Sequence, residues 1–293
     1  MNIQVTRAGP LATIQDLGRF GHLEHGISAS GPMDRNAFLR AGEAVGSCAT
    51  SGIEFTQAGL DFIVQGGDIK AAFFGGDFSL FINKESKKWN GDYSLINGDE
   101  VFIKPGEWGN YGYVRFNAEI GVKKILNSRA TNMIVGLGGY NGRALQMGDK
   151  IDLLPAKKIK TNPIKQIDYQ DNIFRFMWGI HAERFSQKTR NELIEKPFFI
   201  SSQLDRMGVR LLDRSNVFAN EKILSLVSDP IVCGDIQILG DGSAIVLMRD
   251  HQPTGGYPRI GTIISSDIDR FAQMRANSKI YFKPISIENI KEV

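Results

Sequence analysis

The feature that most constrains this chain is the recurrence of glycine between short runs of β-branched and aromatic residues. The 293 residues include 32 glycines and 10 prolines. Such spacing is typical of many short strands joined by tight turns, and several runs also alternate apolar with other residues, as half-buried strands do. We therefore predict a mainly β protein. The strands predicted in the first half are Gly52–Thr56, Leu60–Gln65, Lys70–Phe74, Phe78–Asn83, Glu100–Lys104 and Tyr111–Phe116.

Few segments have the apolar spacing of helices. In the clearest one, Pro32 and Asp34 are typical of a first helical turn, and Gly46 is typical of the residue that ends a helix. Two further short helices are predicted at about Ala182–Ile194 and near Asp267–Arg275.

Length and composition favour two domains, because a domain usually has roughly 100–200 residues. Apolar content falls in Pro155–Gln166, which contains four lysines. We predict a solvated linker there, with contact to an acidic partner as the alternative. The predicted domains are residues 1–155 and 166–293, joined by residues 155–165. A faint repeat supports two similar halves, since Leu145–Ile151 and Met274–Ile280 both lead from a turn into a short strand.

Composition also argues against several classes of protein. The formal net charge is +3 and the basic residues are scattered, which argues against a nucleic-acid partner. Cys48 and Cys233 stand far apart, so neither a disulfide framework nor a zinc site is predicted. No apolar run approaches the ~18 residues of a membrane-spanning helix, and no signal-peptide core is visible. We expect a cytoplasmic protein without a membrane or metal partner.

The densest polar and glycine-rich cluster is Arg249–Pro258, between two apolar runs. Asp250, Gln252 and Tyr257 offer the acceptors and donors that a small amide or carboxylate needs. Gly255-Gly256 lets a ligand approach the backbone closely. The alternative is a long loop with solvated side chains, and residue types alone do not separate the two.

Three other clusters each have two interpretations. Ser30 and the N–H groups that follow it could hold an anion with help from Arg19, or Ser30 could be the N-cap beside an Asp16–Arg19 turn pair, which the residues favour. Arg206 could clamp a carboxylate or phosphate, or pair with a neighbouring acid. Gly136–Arg143 has a dinucleotide-like spacing, but no helix follows it, so a dinucleotide fold is rejected and a glycine-rich hairpin near a ligand stays open.

Seven separated blocks carry a resemblance to a known family: Gly9–Arg19, Ser30–Asp34, Ser128–Thr131, Gly138–Arg143, Asp205–Gly208, Gly234–Gln237 and Thr254–Pro258. In this order they resemble the KipA family, which comprises the C subunit of 5-oxoprolinase and biotin-dependent carboxyltransferase-like proteins related to an allophanate hydrolase subunit 2 and to part of urea carboxylase. The resemblance implies two cyclophilin-like β-barrel domains with a few short helices.

The resemblance also implies a function. The chain would be one subunit of an ATP-dependent 5-oxoprolinase that opens the lactam ring of 5-oxoproline to give glutamate. Its partners would be a KipI-like subunit, which is the B subunit of that enzyme, and a LamB/YcsF-like subunit, which is its A subunit. A homodimer and a heterotetramer are both compatible. ATP with magnesium is expected in the assembled complex, and no cofactor is expected on this chain, which has neither a P-loop nor the Met-Lys-Met of a biotin carrier.

In the light of this resemblance, the expected catalytic residues are Asp250 and Tyr257. The expected substrate-binding residues are Arg206, Gln237, Gln252, Thr254, Gly255, Gly256, Ser30 and Asp34. Two departures from the family pattern stand at Asn117–Ile120, where a glycine pair is usual, and at His251 with Pro253.

Two other functions stay open. One is a non-catalytic regulatory module that binds a KipI-like kinase inhibitor. The other is a carboxyltransferase acting on urea or a related amide.

Overall fold

The computed structural model describes residues 1–221 and 225–288. The chain divides into two compact units. The first unit contains Met1–Gly21 and Ala29–Ile167, and the second contains His22–Ser28 and the chain from Asp168 onward. Residues 155–165, for which a linker was predicted, belong to the first unit.

The first unit consists of twelve short strands and one helix. The strands are β1 (Asn2–Ala8), β2 (Thr13–Gln15), β3 (Gly52–Thr56), β4 (Leu60–Gln65), β5 (Ile69–Gly75), β6 (Phe78–Ile82), β7 (Glu85–Lys87), β8 (Gly91–Leu95), β9 (Glu100–Pro105), β10 (Tyr111–Phe116), β11 (Ala118–Ile120) and β12 (Lys150–Pro155), and helix α1 is Arg35–Val45. They form a seven-stranded sheet, in the order β11-β12-β1-β4-β9-β6-β7, and a five-stranded sheet, in the order β2-β3-β10-β5-β8.

The two sheets share one apolar core. Phe62 on β4 meets Phe116 on β10 edge to face, with ring centroids 6.0 Å apart, and Phe55 on β3 meets Phe78 on β6 at 5.2 Å. Each of these four rings is 3% exposed or less. Edge-to-face aromatic pairs add stability beyond their buried area, so these pairs hold the two sheets together.

Helix α1 ends where its sequence predicts, but it begins later than predicted, at Arg35. The Asp34 side chain accepts a hydrogen bond from Ala37 N at 2.9 Å and so caps the helix, and Gly46 ends it with a left-handed backbone at φ 65°. Asp34 is therefore the N-cap, and the assignment of that role to Ser30 was wrong.

Two segments with uncertain roles have defined contacts. Residues 157–164 are mostly exposed but bond to α1 and to the chain just after it: Cys48 N donates to Lys157 O, and Ile164 N donates to the Glu43 carboxylate.

The segment Asn117–Ile120, which departs from the family pattern, contains strand β11, and Glu119 accepts bonds from the N–H groups of Thr50 and Ser51. Burial would raise the pKa of Glu119, but the hydrogen bonds from Ser51 and Thr50 outweigh it and lower the pKa.

In the described part of the second unit, seven strands close into a barrel. The described part of the unit has nine strands in all: β13 (Ile173–Trp178), β14 (Phe198–Leu204), β15 (Gly208–Leu212), β16 (Asp229–Pro230), β17 (Asp235–Ile238), β18 (Ala244–Leu247), β19 (Thr254–Gly255), β20 (Arg259–Ile263) and β21 (Lys279–Pro284). The barrel order is β13-β20-β17-β18-β15-β14-β21, with a parallel pair between β13 and β21, and β16 pairs separately with β19. Buried aromatic residues fill its core, among them Phe174, Phe176, Phe198 and Phe282.

The connections of the second unit also follow local signals. The Asp241-Gly242 turn joins β17 to β18, and Gly242 has φ 82°. Helix α2 (Gln187–Glu195) begins later than predicted, because the Ser186 side chain caps it by accepting a bond from Thr189 N; a separate 3₁₀ turn covers Ala182–Arg184. Helix α3 is Ser265–Ala272.

The prediction of a mainly β protein with a few short helices is confirmed. The closed barrel is seen in the second unit, and the strands of the first unit form the two sheets described above.

Candidate functional site

The loop from residue 249 to 258 connects β18 to β20 and carries β19. We call it the catalytic-candidate loop. Its first anchor is Asp250, whose two carboxylate oxygens accept bonds from Arg206 Nε at 2.8 Å and Nη2 at 3.1 Å. Asp250 N also donates to Arg206 O at 2.7 Å. Both side chains are 3% exposed. The loop is thus fastened to the turn between β14 and β15.

This ion pair bears on the roles expected for the two residues. Both carboxylate oxygens of Asp250 already accept bonds from the Arg206 guanidinium, so neither is placed to take a proton from a substrate. The Nε and Nη2 donors of Arg206, which were expected to bind a substrate carboxylate, donate instead to Asp250. The geometry therefore suits a pair that positions the loop, and a base role for Asp250 would require the pair to separate.

Gln237 on β17 lies beneath the same loop. Gln237 is 1% exposed, and its Nε2 has no hydrogen-bond partner within residues 1–221 and 225–288. Gly255 lies directly against it, because a Cβ at position 255 would be 2.5 Å from Gln237 Nε2. A buried amide donor without a partner is costly, so this group is available to a carbonyl oxygen of a ligand.

Strands β16 and β19, of two residues each, pair with each other, and Arg259 bonds to both residues of β16. The guanidinium of Arg259 donates to Pro230 O at 2.7 Å, bonds to the Asp229 carboxylate and lies 3.4 Å from an oxygen of Asp235. Sequence reasoning missed Arg259, although it directly follows the last block of the family resemblance.

His181 contacts the start of β20. Its Nδ1 accepts a bond from the backbone N–H of Arg259 at 3.2 Å, which requires an unprotonated nitrogen there. Burial, and then the positive charges of Arg259 and Arg184, lower the pKa of His181.

The remaining loop residues differ in exposure. Gln252 and Thr254 are exposed, and Tyr257 is 39% exposed beside Gly240. Gly256 O accepts a bond from Leu226 N at 2.6 Å. The phenol of Tyr257 can therefore reach a ligand from solvent.

Ser30 and Asp34 lie in the first unit, in a tight turn before α1. Ser30 has a left-handed backbone at φ 57° and is 4% exposed. Its Oγ has no hydrogen-bond partner among the described residues. The following Gly31, at φ 89°, donates its N–H to Gln15 Oε1 at 3.1 Å. A strained backbone together with an unsatisfied hydroxyl is typical of functional sites.

The N–H groups expected to bind an external anion are already occupied. Met33 N donates to Glu54 Oε2 at 2.7 Å, and Asp34 N donates to Tyr113 Oη at 2.7 Å. Tyr113 in turn donates to Glu54 at 2.8 Å. The expectation of a free anion site here was therefore wrong, because the chain supplies its own carboxylate.

Glu54 and Tyr113 were not identified from sequence as members of this turn. Both are 0% exposed. Burial, and then the neighbouring charges of Glu54 and Asp34, raise the pKa of Tyr113 well above its usual value, so its proton stays on the phenol. A glutamate within the apolar run Gly52–Thr56 was the available signal, since a buried strand rarely contains an acid without a partner.

Asp16 likewise has partners other than the predicted one. Its carboxylate accepts bonds from Gly18 N at 3.0 Å, Ser128 Oγ at 2.5 Å and Arg129 N at 2.6 Å. Arg19 bonds instead to Ala130 O. The predicted Asp16–Arg19 pair is replaced by contacts that join two of the family blocks across 112 residues of chain.

None of the helices in the described ranges is long and apolar enough to cross a membrane. Within those ranges, no group of three or more histidine, cysteine or acidic side chains is arranged to hold a metal ion.

Comparison with known proteins gives a consistent result. The family model described as carboxyltransferase domain, subdomain A and B, matches residues 25–284. The chain is 30% identical to the 5-oxoprolinase C subunit of Escherichia coli over 292 residues, which cover 98% of this chain and 92% of that protein. It is also 30% identical to the 5-oxoprolinase C subunit of Haemophilus influenzae over 283 residues, or 94% and 89% of the two chains.

Among solved structures, the urea amidolyase of K. lactis superposes with a TM-score of 0.88 at 22% identity. The match covers 99% of this chain and 19% of the amidolyase, so the fold corresponds to one part of that larger protein.

Proposed function

The chain belongs to the carboxyltransferase family, subdomains A and B, together with the C subunits of 5-oxoprolinase, and on that premise we propose that it is one subunit of an ATP-dependent amide-hydrolysing complex. The finer proposal is that the complex opens 5-oxoproline to glutamate. The observation that carries it is the 30% identity to two proteins of that name over nearly the full length of each.

The partners we propose are a KipI-like subunit and a LamB/YcsF-like subunit, with ATP and magnesium supplied to the assembled complex. A lactam is resonance-stabilised and its oxygen is a poor leaving group. Transfer of the terminal phosphate of ATP to the lactam oxygen releases ADP and makes the ring carbon electrophilic. Water then adds to that carbon, and the C–N bond breaks as the ring nitrogen takes a proton to become the amine of glutamate. A second water hydrolyses the resulting acyl phosphate to the carboxylate of glutamate and inorganic phosphate.

We assign the substrate contacts to the groups that have unused hydrogen-bonding capacity. The Nε2 of Gln237 is buried and without a partner among the described residues, which suits a lactam carbonyl oxygen. Gly255 and Gly256 leave room for the ligand, and Tyr257 supplies a phenol that can stabilise a developing oxyanion. Gln252 and Thr254, both exposed, complete the polar rim.

Arg206 and Asp250 have a positioning role in this proposal. Their buried bidentate pair holds the start of the loop, and substrate contact is made by the residues that follow. In the first unit, Asp34 positions the turn by capping α1, and the Ser30 hydroxyl, which no described residue bonds, is the group proposed to bond a ligand.

The test is reconstitution. The purified chain is mixed with its two proposed partners, ATP, magnesium and 5-oxoproline, and glutamate is measured over time. The proposal expects turnover that disappears when this chain is omitted. Equal glutamate with and without the chain would reject the role. If the complex is active, Gln237→Leu is expected to lower kcat/KM at least tenfold, whereas full turnover of that variant would reject only the assigned site.

A carboxyltransferase acting on urea or a related amide is the second candidate, because the family model and the K. lactis urea amidolyase superposition both favour it. Transfer of a carboxyl group from carboxybiotin to urea, measured with the same preparation, separates the two. Carboxylated urea without glutamate formation would favour this alternative.

A further inference from the structure

The first unit contains a cavity of about 690 Å³ that the assignments above do not use. Its lining comes from three segments: residues 121–123 with 125, the glycine loop 136–142 apart from Leu137, and residues 150–152 at the start of β12. Small-molecule sites usually occupy roughly 300–1,000 Å³, so the volume is that of a ligand site rather than of a packing defect.

The glycine loop has an unusual backbone. Its left-handed residues are Gly136, Gly138, Gly139, Asn141 and Gly142, with φ between 49° and 72°. Successive N–H groups in such a backbone form concave anion-binding surfaces. A loop built largely of glycine adopts this conformation at little steric cost.

The hydrogen bonds of this loop leave part of its backbone unused. Leu137 N, Gly139 N and Gly142 N donate to the carbonyl groups of Asn132, Arg129 and Gly138. The N–H groups of Gly138 and Asn141 have no acceptor within residues 1–221 and 225–288. Gly138 is buried, and a buried N–H without a partner is rare in proteins, so a ligand acceptor is the natural complement.

The charge around the cavity is positive. Lys123 and Lys150 line it, and neither forms an ion pair within the described residues. Behind the loop lies the buried guanidinium of Arg19, since a Cβ at Gly138 would be 2.5 Å from Arg19 Nη2. Asp152 is the single carboxylate among the lining residues. Two ammonium groups and one carboxylate leave a net positive wall.

We propose that this cavity binds a phosphate group carried on a small molecule, with Lys123, Lys150 and the N–H groups of the glycine loop as its ligands. The proposal stands on the cavity alone and does not depend on the proposed function. Asp152 would accept a bond from a hydroxyl of the same molecule. A nucleotide and a phosphorylated small acid share this chemistry, and the experiment distinguishes them.

The test is titration calorimetry on the full chain with four probes: inorganic phosphate, acetyl phosphate, a non-hydrolysable ATP analogue and adenosine. At least one phosphate-bearing probe is expected to bind. The double variant Lys123→Ala with Lys150→Ala is expected to weaken that binding at least tenfold. Lys124→Ala is the matched control, because Lys124 is exposed in the same segment but does not line the cavity, and it should bind as the native chain does.

Two results would overturn the proposal. One is the absence of binding heat from every phosphate-bearing probe at concentrations up to about 10 mM, which is well beyond a dissociation constant of about 1 mM, or about 4 kcal/mol of binding free energy. The other is an equal loss of binding in Lys124→Ala. Asp152→Asn provides a further check, because removing the carboxylate should tighten inorganic phosphate severalfold, and weaker binding would contradict the placement. If the ATP analogue binds at least tenfold more tightly than acetyl phosphate, the source is a nucleotide; the reverse order indicates a phosphorylated small acid.

Discussion

Arg206 binds both carboxylate oxygens of Asp250, with Nε and Nη2 at 2.8 and 3.1 Å, although the two residues are 44 positions apart in the chain. Both side chains are almost completely buried. This pair joins two turns of the barrel unit and determines where the catalytic-candidate loop begins.

Asp250→Ala is expected to destabilise the protein by about 3–5 kcal/mol, because it leaves the Arg206 cation buried without its carboxylate. The free energy of unfolding in urea measures this cost. Glu192→Gln is the control: it removes a partly exposed pair with Lys188, whose closest atoms are 3.9 Å apart, and should change stability by less than about 1 kcal/mol. An Asp250→Ala variant as stable as this control would contradict the interpretation.

The double variant Arg206→Met with Asp250→Leu distinguishes positioning from packing. Replacing both charges by apolar groups is expected to recover most of the stability lost in Asp250→Ala, because no unpaired charge stays buried. The glutamate assay of the reconstituted complex should still show reduced turnover, since the bonds that orient the loop are gone. Full turnover in the double variant would remove the positioning role.

Gly255→Ala is expected to lower kcat/KM of the reconstituted complex at least tenfold. Its Cβ would lie 2.5 Å from Gln237 Nε2, so the buried amide must move. Gly240→Ala is the matched control, because its Cβ would lie 3.9 Å from the nearest ring atom of Tyr257, which is an ordinary contact. Adding Gln237→Ala to Gly255→Ala should cause little further loss. Additive losses would mean that the two residues act independently.

Tyr113→Phe is expected to cost about 1–3 kcal/mol of unfolding free energy, because it leaves the Asp34 N–H and the Glu54 carboxylate each short of one buried hydrogen bond. Tyr93→Phe removes an exposed bond to Lys88 O and serves as the control. Equal free energies of unfolding for the two variants would show that the buried hydroxyl of Tyr113 contributes no more to stability than the exposed hydroxyl of Tyr93.

Acidification is expected to destabilise the native chain through His181. Its pKa is lowered in the folded state, so between that value and the unfolded value of about 6.5 the unfolded chain binds more protons. The contribution of His181 to folding stability is therefore present above about pH 6.5 and is lost as the pH falls through the pKa that His181 has in the folded state. Urea unfolding measured between pH 5 and 8 should show a shallower slope for His181→Gln than for the native chain.

His25→Gln is the control for this profile, because the His25 side chain is 66% exposed. Its pH dependence should match that of the native chain. Parallel profiles for His181→Gln and the native chain would exclude His181 as a source of the acid sensitivity.

Much of the secondary structure could be predicted because its signals are local. The bounds of Gly52–Thr56, Leu60–Gln65 and Tyr111–Phe116 match their strands, and α1 ends at Gly46 as expected. Alternation and capping act between residues a few positions apart. Helix α2 was placed less well, because Ser186 gave a cap within a segment whose apolar spacing was weak.

The partners of polar side chains could not be predicted in the same way. An acid beside an arginine in sequence, such as Asp16 with Arg19, suggested a local pair, but Asp16 bonds to Ser128 and Arg129 instead. Likewise the N–H groups before α1 were expected to be free, and Glu54 occupies one of them. Strand pairing brought these groups together, and buried polar groups bond to whichever complementary atom lies nearest in space.

By itself the amino-acid sequence determined that the chain is mainly β, where most of its strands and its first helix lie, and which family it resembles, because these depend on neighbouring residues and on short ordered blocks. Only the tertiary structure decided that Asp250 is paired with Arg206, that Gln237 is buried with a donor that no described residue uses, and that a glycine loop, Lys123 and Lys150 line a cavity. Those properties depend on residues far apart in the chain, whose proximity is created when the strands pair and water is excluded.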